Sequence, residues 1–336
     1  MHRKISVAII GLGYWGPNWL RNFAAQRDCV VKYVCDVSQN RLDAYAHAYP
    51  STVFTDSYET LLNDPELELI AIVTPTSSHF SLAKQALEAG KHVLIEKPMT
   101  QTASQAQSLI ELAGKQGKLI FFDHTFAFSP AVEEVEKEIR KGTLGNLLFF
   151  ESSRINLGII QPDTNVLWDL AIHDLSILSR IVPLHDIETV TAIGHAHFGR
   201  QLEDAHLHLH FSTGFHAHVH VSWISPVKIR QTFIAGTKAM ISYDDTQPSE
   251  KVRLYHSGVE KDTSRPDPFF PKYRSGNIVI PYLQNQEALA REAAHIIECI
   301  QGKGTPRVSG QDGFLLLRIL EQAEKSLDQG GIPVSI

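Results

Sequence analysis

Two side chains able to hold or move a proton stand where their chemistry could be used. Lys97 lies between Glu96 and Pro98, directly after the short apolar run His92 to Ile95. If that run is a strand of an open α/β sheet, its carboxyl end lines the ligand crevice and Lys97 points its ammonium there. A surface lysine before a turn proline is the competing reading. Lys97–Pro98 is also a candidate cis bond, which would aim the ammonium inward. Further along, Trp168-Asp169-Leu170-Ala171-Ile172-His173-Asp174 opens a helix, and the i, i+4 spacing sets Asp169 and His173 on one face. A carboxylate beside an imidazole orients it and stabilises its protonated form, which suits a general acid/base near neutral pH. A core histidine satisfied by a neighbouring aspartate would look the same locally.

A third constellation binds rather than reacts. Gly11-Leu12-Gly13-Tyr14-Trp15-Gly16 follows a strand and precedes a helix, the context in which a G-x-G-x-x-G run cradles a dinucleotide. Gly11 permits the tight turn, Gly13 lets the backbone approach a pyrophosphate, and Gly16 lets helix and strand pack closely. Free N–H groups at the helix start then meet the phosphates. Asp36 ends the second strand, where a carboxylate accepts hydrogen bonds from an adenosine ribose and repels a 2′-phosphate. NAD is therefore the expected cofactor; Arg41, close behind Asp36, keeps NADP as the alternative.

The elements that must position these groups follow from periodicity. From residue 5 to about 140, apolar runs at Ile5 to Ile10, Val30 to Cys35, Leu69 to Val73, His92 to Ile95 and Leu119 to Phe122 alternate with helical stretches at Pro17 to Arg27, Arg41 to Tyr49, Ser78 to Ala89 and Ala103 to Gln116. That is the pattern of a doubly wound parallel sheet. After Gly145 come a strand at Leu147 to Ser153, the helix at Leu167 to Ile181, then strands at Val190 to His197, His206 to Phe211, Phe215 to Trp223 and Ile229 to Ile234. Those four without intervening helices predict mainly antiparallel sheet. Helices at Glu287 to Gln301 and Gln311 to Gln329 close the chain. The fold class is α/β, a Rossmann domain over residues 1–125 followed by an α+β substrate and oligomerisation domain over 126–336.

Bulk properties remove other classes. The 336 residues carry a formal net charge of -6 with 43% hydrophobic and 20% charged residues. There is no basic surplus for a nucleic-acid backbone, and the first apolar stretch is too short for a membrane span or signal peptide. A cytoplasmic protein is expected, with Cys29, Cys35 and Cys299 as reduced core thiols.

The glycine fingerprint, the Thr74-Pro75-Thr76-Ser77-Ser78-His79 turn, Glu96-Lys97-Pro98 and the later His173-Asp174 occur together and in order. In this the chain resembles the glucose-fructose oxidoreductase/inositol dehydrogenase (Gfo/Idh/MocA) family over nearly its whole length. The resemblance implies a Rossmann domain, an open-faced sheet through which subunits form dimers or tetramers, and NAD contacts from Tyr14, Trp15, Asp36, Thr74, Pro75, His79, Glu96 and Lys97. Arg154-Ile155-Asn156-Leu157-Gly158 through Asn165 to Asp174, followed by Ser222-Trp223-Ile224-Ser225-Pro226-Val227-Lys228, looks like the branch acting on nucleotide-activated sugars, typified by UDP-N-acetylglucosaminuronate 3-dehydrogenase. Ile172 departs from the proline expected there. By this resemblance His173 takes a proton from a ring hydroxyl, Lys97 holds the hydroxyl or emerging oxyanion, and Asp169 orients the imidazole or binds the adjacent hydroxyl. Arg154, Asn156 and Lys228 are the substrate-binding candidates. The alternatives are a dehydrogenase of a free polyol or monosaccharide, and a non-catalytic NAD/sugar sensor.

Two segments stand apart from that scheme. His206, His208 and His210 alternate with apolar residues, as do His216, His218 and His220, so a three-residue loop with left-handed Gly214 would pair the two runs and put six imidazoles on one face. Alternate strand residues can ligate zinc or nickel, which is one reading, but no carboxylate or thiol pattern accompanies them and no metal is assigned; the other reading is a polar face, solvated or at a subunit interface. The Pro-rich run Arg265 to Pro281, with Phe269, Phe270, Lys272, Tyr273 and Arg274, is a surface loop, an intersubunit arm or a lid.

Overall fold

The computed structural model describes residues 3–160, 164–261 and 271–336. Six strands, β1 (Ile5–Ile10), β2 (Cys29–Cys35), β3 (Val53–Thr55), β4 (Leu69–Ile72), β5 (His92–Ile95) and β6 (Ile120–Phe122), form one sheet in the order β3-β2-β1-β4-β5-β6. Every pairing in it is parallel. The crossovers are helical: α1 (Gly16–Ala24), α2 (Gln39–Ala46), α3 (Tyr58–Asn63), α4 (Thr76–Glu88) and α5 (Ala103–Gln116). β1 and β4 are buried along their whole length, as a parallel sheet covered on both faces requires. Strand order reverses between β1 and β4, the switch point at which such sheets bind ligands.

The remaining strands form a mixed sheet. After α6 (Pro130–Arg140) come β7 (Leu147–Leu157), a π-helical turn (Leu167–Ala171) running into α7 (Ile172–Ser179), β8 (Ile187–His195), β9 (Asp204–Phe211), β10 (His216–Ser222), β11 (Ile224–Gly236), β12 (Met240–Asp244) and β13 (Val252–Tyr255). A hairpin of β14 (Gly258–Lys261) and β15 (Pro271–Arg274), then β16 (Ile278–Val279), α8 (Ala288–Ile300), α9 (Gly310–Asp328) and β17 (Val334–Ser335), complete the described chain. The nine-stranded order is β16-β13-β12-β11-β7-β10-β9-β8-β17, antiparallel except where β10 runs parallel to β7. Alternation along β9 buries Ala205, Leu207, Leu209 and Phe211 and turns the histidines outward. The expected ladder forms: His206 pairs with His220, His208 with His218 and His210 with His216, across a turn with Gly214 at φ +81°.

The chain crosses more than once between its compact units. Residues 1–128 group with 286–317, and 129–285 with 318–336, so the two-segment division at residue 125 omits a return. The cause lies in α8. Its stripe of Leu289, Ala293, Ile296 and Ile297 joins the core made by Ile5, Val7, Ile9, Leu20 and the stacked pair Trp19 and Phe23. Of the Pro-rich run, 265–270, with Phe269 and Phe270, lies outside the described residues, while Pro271–Arg274 forms β15. The three cysteines are free and buried, and burial pushes the Cys29 thiol up to about 12 and Cys35 and Cys299 to about 11.

The glycine loop is the tightest joint. Gly11 holds φ +96°, and a Cβ on Gly16 would lie 2.0 Å from the Gly11 carbonyl oxygen. A Cβ on Gly13 would meet nothing within 4 Å. Gly16→Ala is expected to cost at least the ~1–3 kcal/mol of an overpacked core site. Gly13→Ala should leave the stability measured by urea denaturation within about 0.5 kcal/mol of wild type.

Candidate active site

In the first unit the predicted cofactor residues collect at the carboxyl ends of β1, β2, β4 and β5. Main-chain and side-chain bonds fix the loop after β1: Gly11 N donates to the Cys35 carbonyl at 2.8 Å, and Leu12 N to Asp36 Oδ2 at 2.7 Å. Asp36 is 5% exposed, its Oδ1 accepts from Ser38 N at 2.8 Å, and Arg41 approaches Oδ2 at 3.6 Å. One carboxylate thus ties the end of β2 to the glycine turn. No side chain caps α1, whose N-cap is Trp15 with Pro17 in the first turn, so its N-terminus faces the loop with its positive end unspent. Tyr14 and Trp15 are exposed and pack edge to face at 5.5 Å. Open space at Gly13, close approach at Gly16 and an uncapped helix start fit a dinucleotide pyrophosphate.

The next two strand ends are joined by His79. Its ring is 1% exposed, with Nδ1 3.0 Å from the Pro98 carbonyl and Nε2 2.8 Å from that of Thr74. Burial holds its pKa below the usual imidazole range, against the pull of those carbonyls. The neutral ring has one N–H, which donates to one of the two carbonyls while the other nitrogen faces the second. His79 stands between the Thr74-Pro75 turn and the Lys97–Pro98 peptide, which is cis, both expected to line the NAD site. Thr74 Oγ1 and Ser78 Oγ lie 2.7 Å apart at the uncapped start of α4, where Pro75 is the N-cap.

Beneath Lys97, itself half-buried, lies a feature the sequence did not announce. Glu96 and Glu292 are buried around Asp123, the residue after β6. Burial and the Asp123 carboxylate push both glutamates well above the usual carboxylate range; the Lys97 charge pulls Glu96 the other way. Asp123 Oδ1 accepts from Thr125 N and Oγ1, and Glu292 Oε1 from His124 N at 3.2 Å. His124, buried beside them, is pushed down to about 4 by burial. The available signals were a carboxylate on the apolar stripe of α8, three residues after Leu289, and an acid at a strand end.

In the second unit the expected helix contains a π-helical turn before His173, a feature that recurs at functional sites. Asn165 caps it, Oδ1 accepting from Leu167 N at 3.0 Å and Trp168 N at 3.3 Å, while Asn165 Nδ2 and Trp168 Nε1 both donate to Glu324. Asp169 Oδ2 accepts from the buried Trp223 indole at 3.0 Å. Trp223 was visible only within a longer run of residues and had no role assigned. His173 is half-buried on α7, and Ile172 keeps helical angles at 2% exposure.

Arg154 does not present itself to a ligand. It is 3% exposed, its Nε donates to Asp174 Oδ2 at 2.7 Å and its Nη2 to Oδ1 at 3.2 Å, and Ser152 Oγ donates to the same carboxylate at 2.5 Å. Burial opposes the guanidinium charge and Asp174 more than offsets it. The substrate role expected of Arg154 is revised to a positioning one: the pair clamps β7 to the helix that carries His173. Asn156, two residues on, shares that face of β7 and is half-buried; Lys228 is exposed at the irregular stretch of β11.

A parallel sheet in this strand order, with a glycine loop at its switch point and an acid closing β2, defines a dinucleotide-binding oxidoreductase domain. Residues 5–124 match the family described as "Oxidoreductase family, NAD-binding Rossmann fold", and residues 132–242 match the "GFO/IDH/MocA C-terminal domain". The chain belongs to the Gfo/Idh/MocA family of oxidoreductases. It is 24% identical to scyllo-inositol 2-dehydrogenase (NAD(+)) of Bacillus subtilis (strain 168), over 100% of this chain and 97% of that one. It is 27% identical to UDP-N-acetylglucosamine 3-dehydrogenase of Acidithiobacillus ferrooxidans, over 75% and 77%. Levoglucosan dehydrogenase, solved with NADH and levoglucosan, shares the fold with a TM-score of 0.84 at 17% identity, covering 99% of this chain and 100% of that one. No helix among the described residues is long and apolar enough to cross a membrane.

Two substitutions test the electrostatics. Asp174→Asn removes the charge paired with a buried guanidinium and is expected to cost ~3–5 kcal/mol in urea unfolding. Glu292 keeps its proton in the native state to higher pH than in the unfolded chain, where release centres near ~4.3. Its contribution to stability therefore falls as pH rises through that window. Glu292→Gln has no proton to lose, so it should raise the thermal midpoint at about pH 8 and do so less at about pH 5, by calorimetry.

Proposed function

We propose that this chain is an NAD-dependent dehydrogenase that oxidises a secondary ring alcohol of a sugar, and that His173 is its general base. The observation that carries this is the construction around α7: an Asn165 cap, a π-helical turn, Asp169 held by Trp223 and Asp174 locked to Arg154 all fix the helix on which His173 stands. Such bracing serves proton transfer, which needs a base held within hydrogen-bond reach of the hydroxyl. A sensor has no use for it.

In this reading Gly11, Gly13, Gly16 and the start of α1 take the pyrophosphate, and Asp36 takes the adenosine ribose. Tyr14, Trp15, Thr74, Pro75 and Glu96 line the rest of the cofactor site. NAD supplies the hydride acceptor. His173 removes the hydroxyl proton, Lys97 stabilises the oxygen as negative charge develops, and Asp169 orients the substrate or the imidazole. Asn156 and Lys228 bind polar groups of the sugar. The subunits associate through the open sheet as dimers or tetramers.

Nucleotide-activated sugars are the favoured substrates, in line with the UDP-N-acetylglucosamine 3-dehydrogenase relative. Free polyols form the second reading, supported by the burial of Arg154 on Asp174, which withdraws one cation from a diphosphate, and by the inositol dehydrogenase relative. A thermal-shift screen with NAD, UDP-sugars, inositols and free hexoses, followed by NADH absorbance with each hit, separates them. Lys97→Ala and His173→Ala should each lower kcat by ~10²–10⁴-fold while NAD still shifts the melting point; turnover within tenfold of wild type would refute the assignment.

A further inference from the structure

The outward face of β9 and β10 carries more than a row of imidazoles. His220 Nε2 lies 3.1 Å from Asp204 Oδ1, and His206 Nδ1 lies 3.2 Å from His218 Nε2. One ligand atom each from Asp204, His206 and His220 fall within 4.8 Å of one another. The rings of His206 and His220 stack with centroids 4.2 Å apart at 7°, and His206 and His218 lie near parallel at 5.4 Å. The spacing of the ladder residues showed no accompanying carboxylate; the structure corrects this. Asp204 opens β9 two residues before His206 and pairs with Ser222 of β10 and His195 of β8, so its side chain shares the histidine face.

The ligand atoms lie near enough for one ion to gather them once the stacked rings of His206 and His220 turn so that both planes contain it. Around a tetrahedral ion with bonds of ~2.0–2.2 Å, neighbouring ligand atoms are roughly 3.3–3.6 Å apart. The 3.1 Å between His220 Nε2 and Asp204 Oδ1 falls just short of that range, and a small side-chain rotation would open it. Two ligands two residues apart on one strand and a third across the ladder are held by a pairing without a register shift. All three are partly shielded, with Asp204 and His220 side chains 29% and 25% exposed, while His210 and His216 are open to solvent.

We propose that Asp204, His206 and His220 bind a divalent transition-metal ion of the zinc class. Imidazole nitrogen with a single carboxylate oxygen suits zinc, nickel or copper and disfavours magnesium and calcium, which take oxygen shells. Bound there, the ion staples β9 to β10 and fixes the start of β9. None of its ligands belongs to the residues assigned to NAD or to proton transfer, so the inference stands apart from the proposed reaction.

The test uses the full chain without a histidine tag, stripped with chelator and titrated with zinc chloride by calorimetry, with magnesium chloride as control. One zinc per chain at micromolar affinity or tighter is expected, with no saturable magnesium binding. His206→Ala, His220→Ala and Asp204→Asn should each weaken zinc on the order of 100-fold, since even partners outside the ligand shell are worth 10–100-fold. The double variant His210→Ala/His216→Ala, which removes the outer pair of the ladder, should bind as wild type does. Circular dichroism of each apo variant verifies the fold. Absence of zinc binding, binding unaltered by the three inner substitutions, or loss caused by the outer pair each overturns the proposal.

Discussion

The contact that most of the first unit depends on is between two residues without side chains. Because Gly16 sits against the Gly11 carbonyl, α1 leaves β1 at once and lies close on the sheet. That placement stacks Trp19 on Phe23 over the strands, gives α8 an apolar surface to return to, and leaves the N-terminus of α1 open to an anion. Asp36 completes the joint from the second strand. The turn at Gly11 and Gly16 and the core packing over it are thus one construction, while Gly13 stands outside it.

The second unit solves a different problem, that of fixing α7, which carries His173, beside a sheet. It uses charge where the first uses close backbone approach. A buried Arg154 and Asp174 contribute little net stability over an apolar pair of the same shape, because desolvation offsets most of their attraction. Their geometry is directional, however: two hydrogen bonds from a rigid fork fix one rotation of α7. Trp223 does the same for Asp169, and its ring fills the space a Cβ on Gly158 would need, the nearest ring atom lying 2.7 Å away.

What could be read in the sequence was whatever repeats or sits beside its partner along the chain. The glycine loop, the strand ends carrying Asp36 and Lys97, and the pairing of six histidines all derive from local spacing. β3 escaped because three residues carry no periodicity, and β7 beside β10 because a parallel pair across so long a loop leaves no trace in either strand. Glu96, Asp123 and Glu292 meet only after the chain has returned, so no local spacing brings them together. Arg154 was misread for a related reason: an arginine on a strand has the same appearance facing a ligand or facing Asp174. Asp204 was passed over since it precedes the alternation it belongs to.

The π-helical turn gives the helix bearing His173 an unusual sensitivity to length. A π turn is equivalent to one residue added to an α-helix, and each added residue rotates the downstream helix by about 100°. Trp168 and Asp169 stand on one side of that phase step, His173 and Asp174 on the other. Loss of Leu170 or Ala171 alone would keep Asp169, His173 and Asp174 in the chain and still swing Asp174 off Arg154. Homologous chains should therefore tolerate substitution in this turn more readily than a change in its residue count.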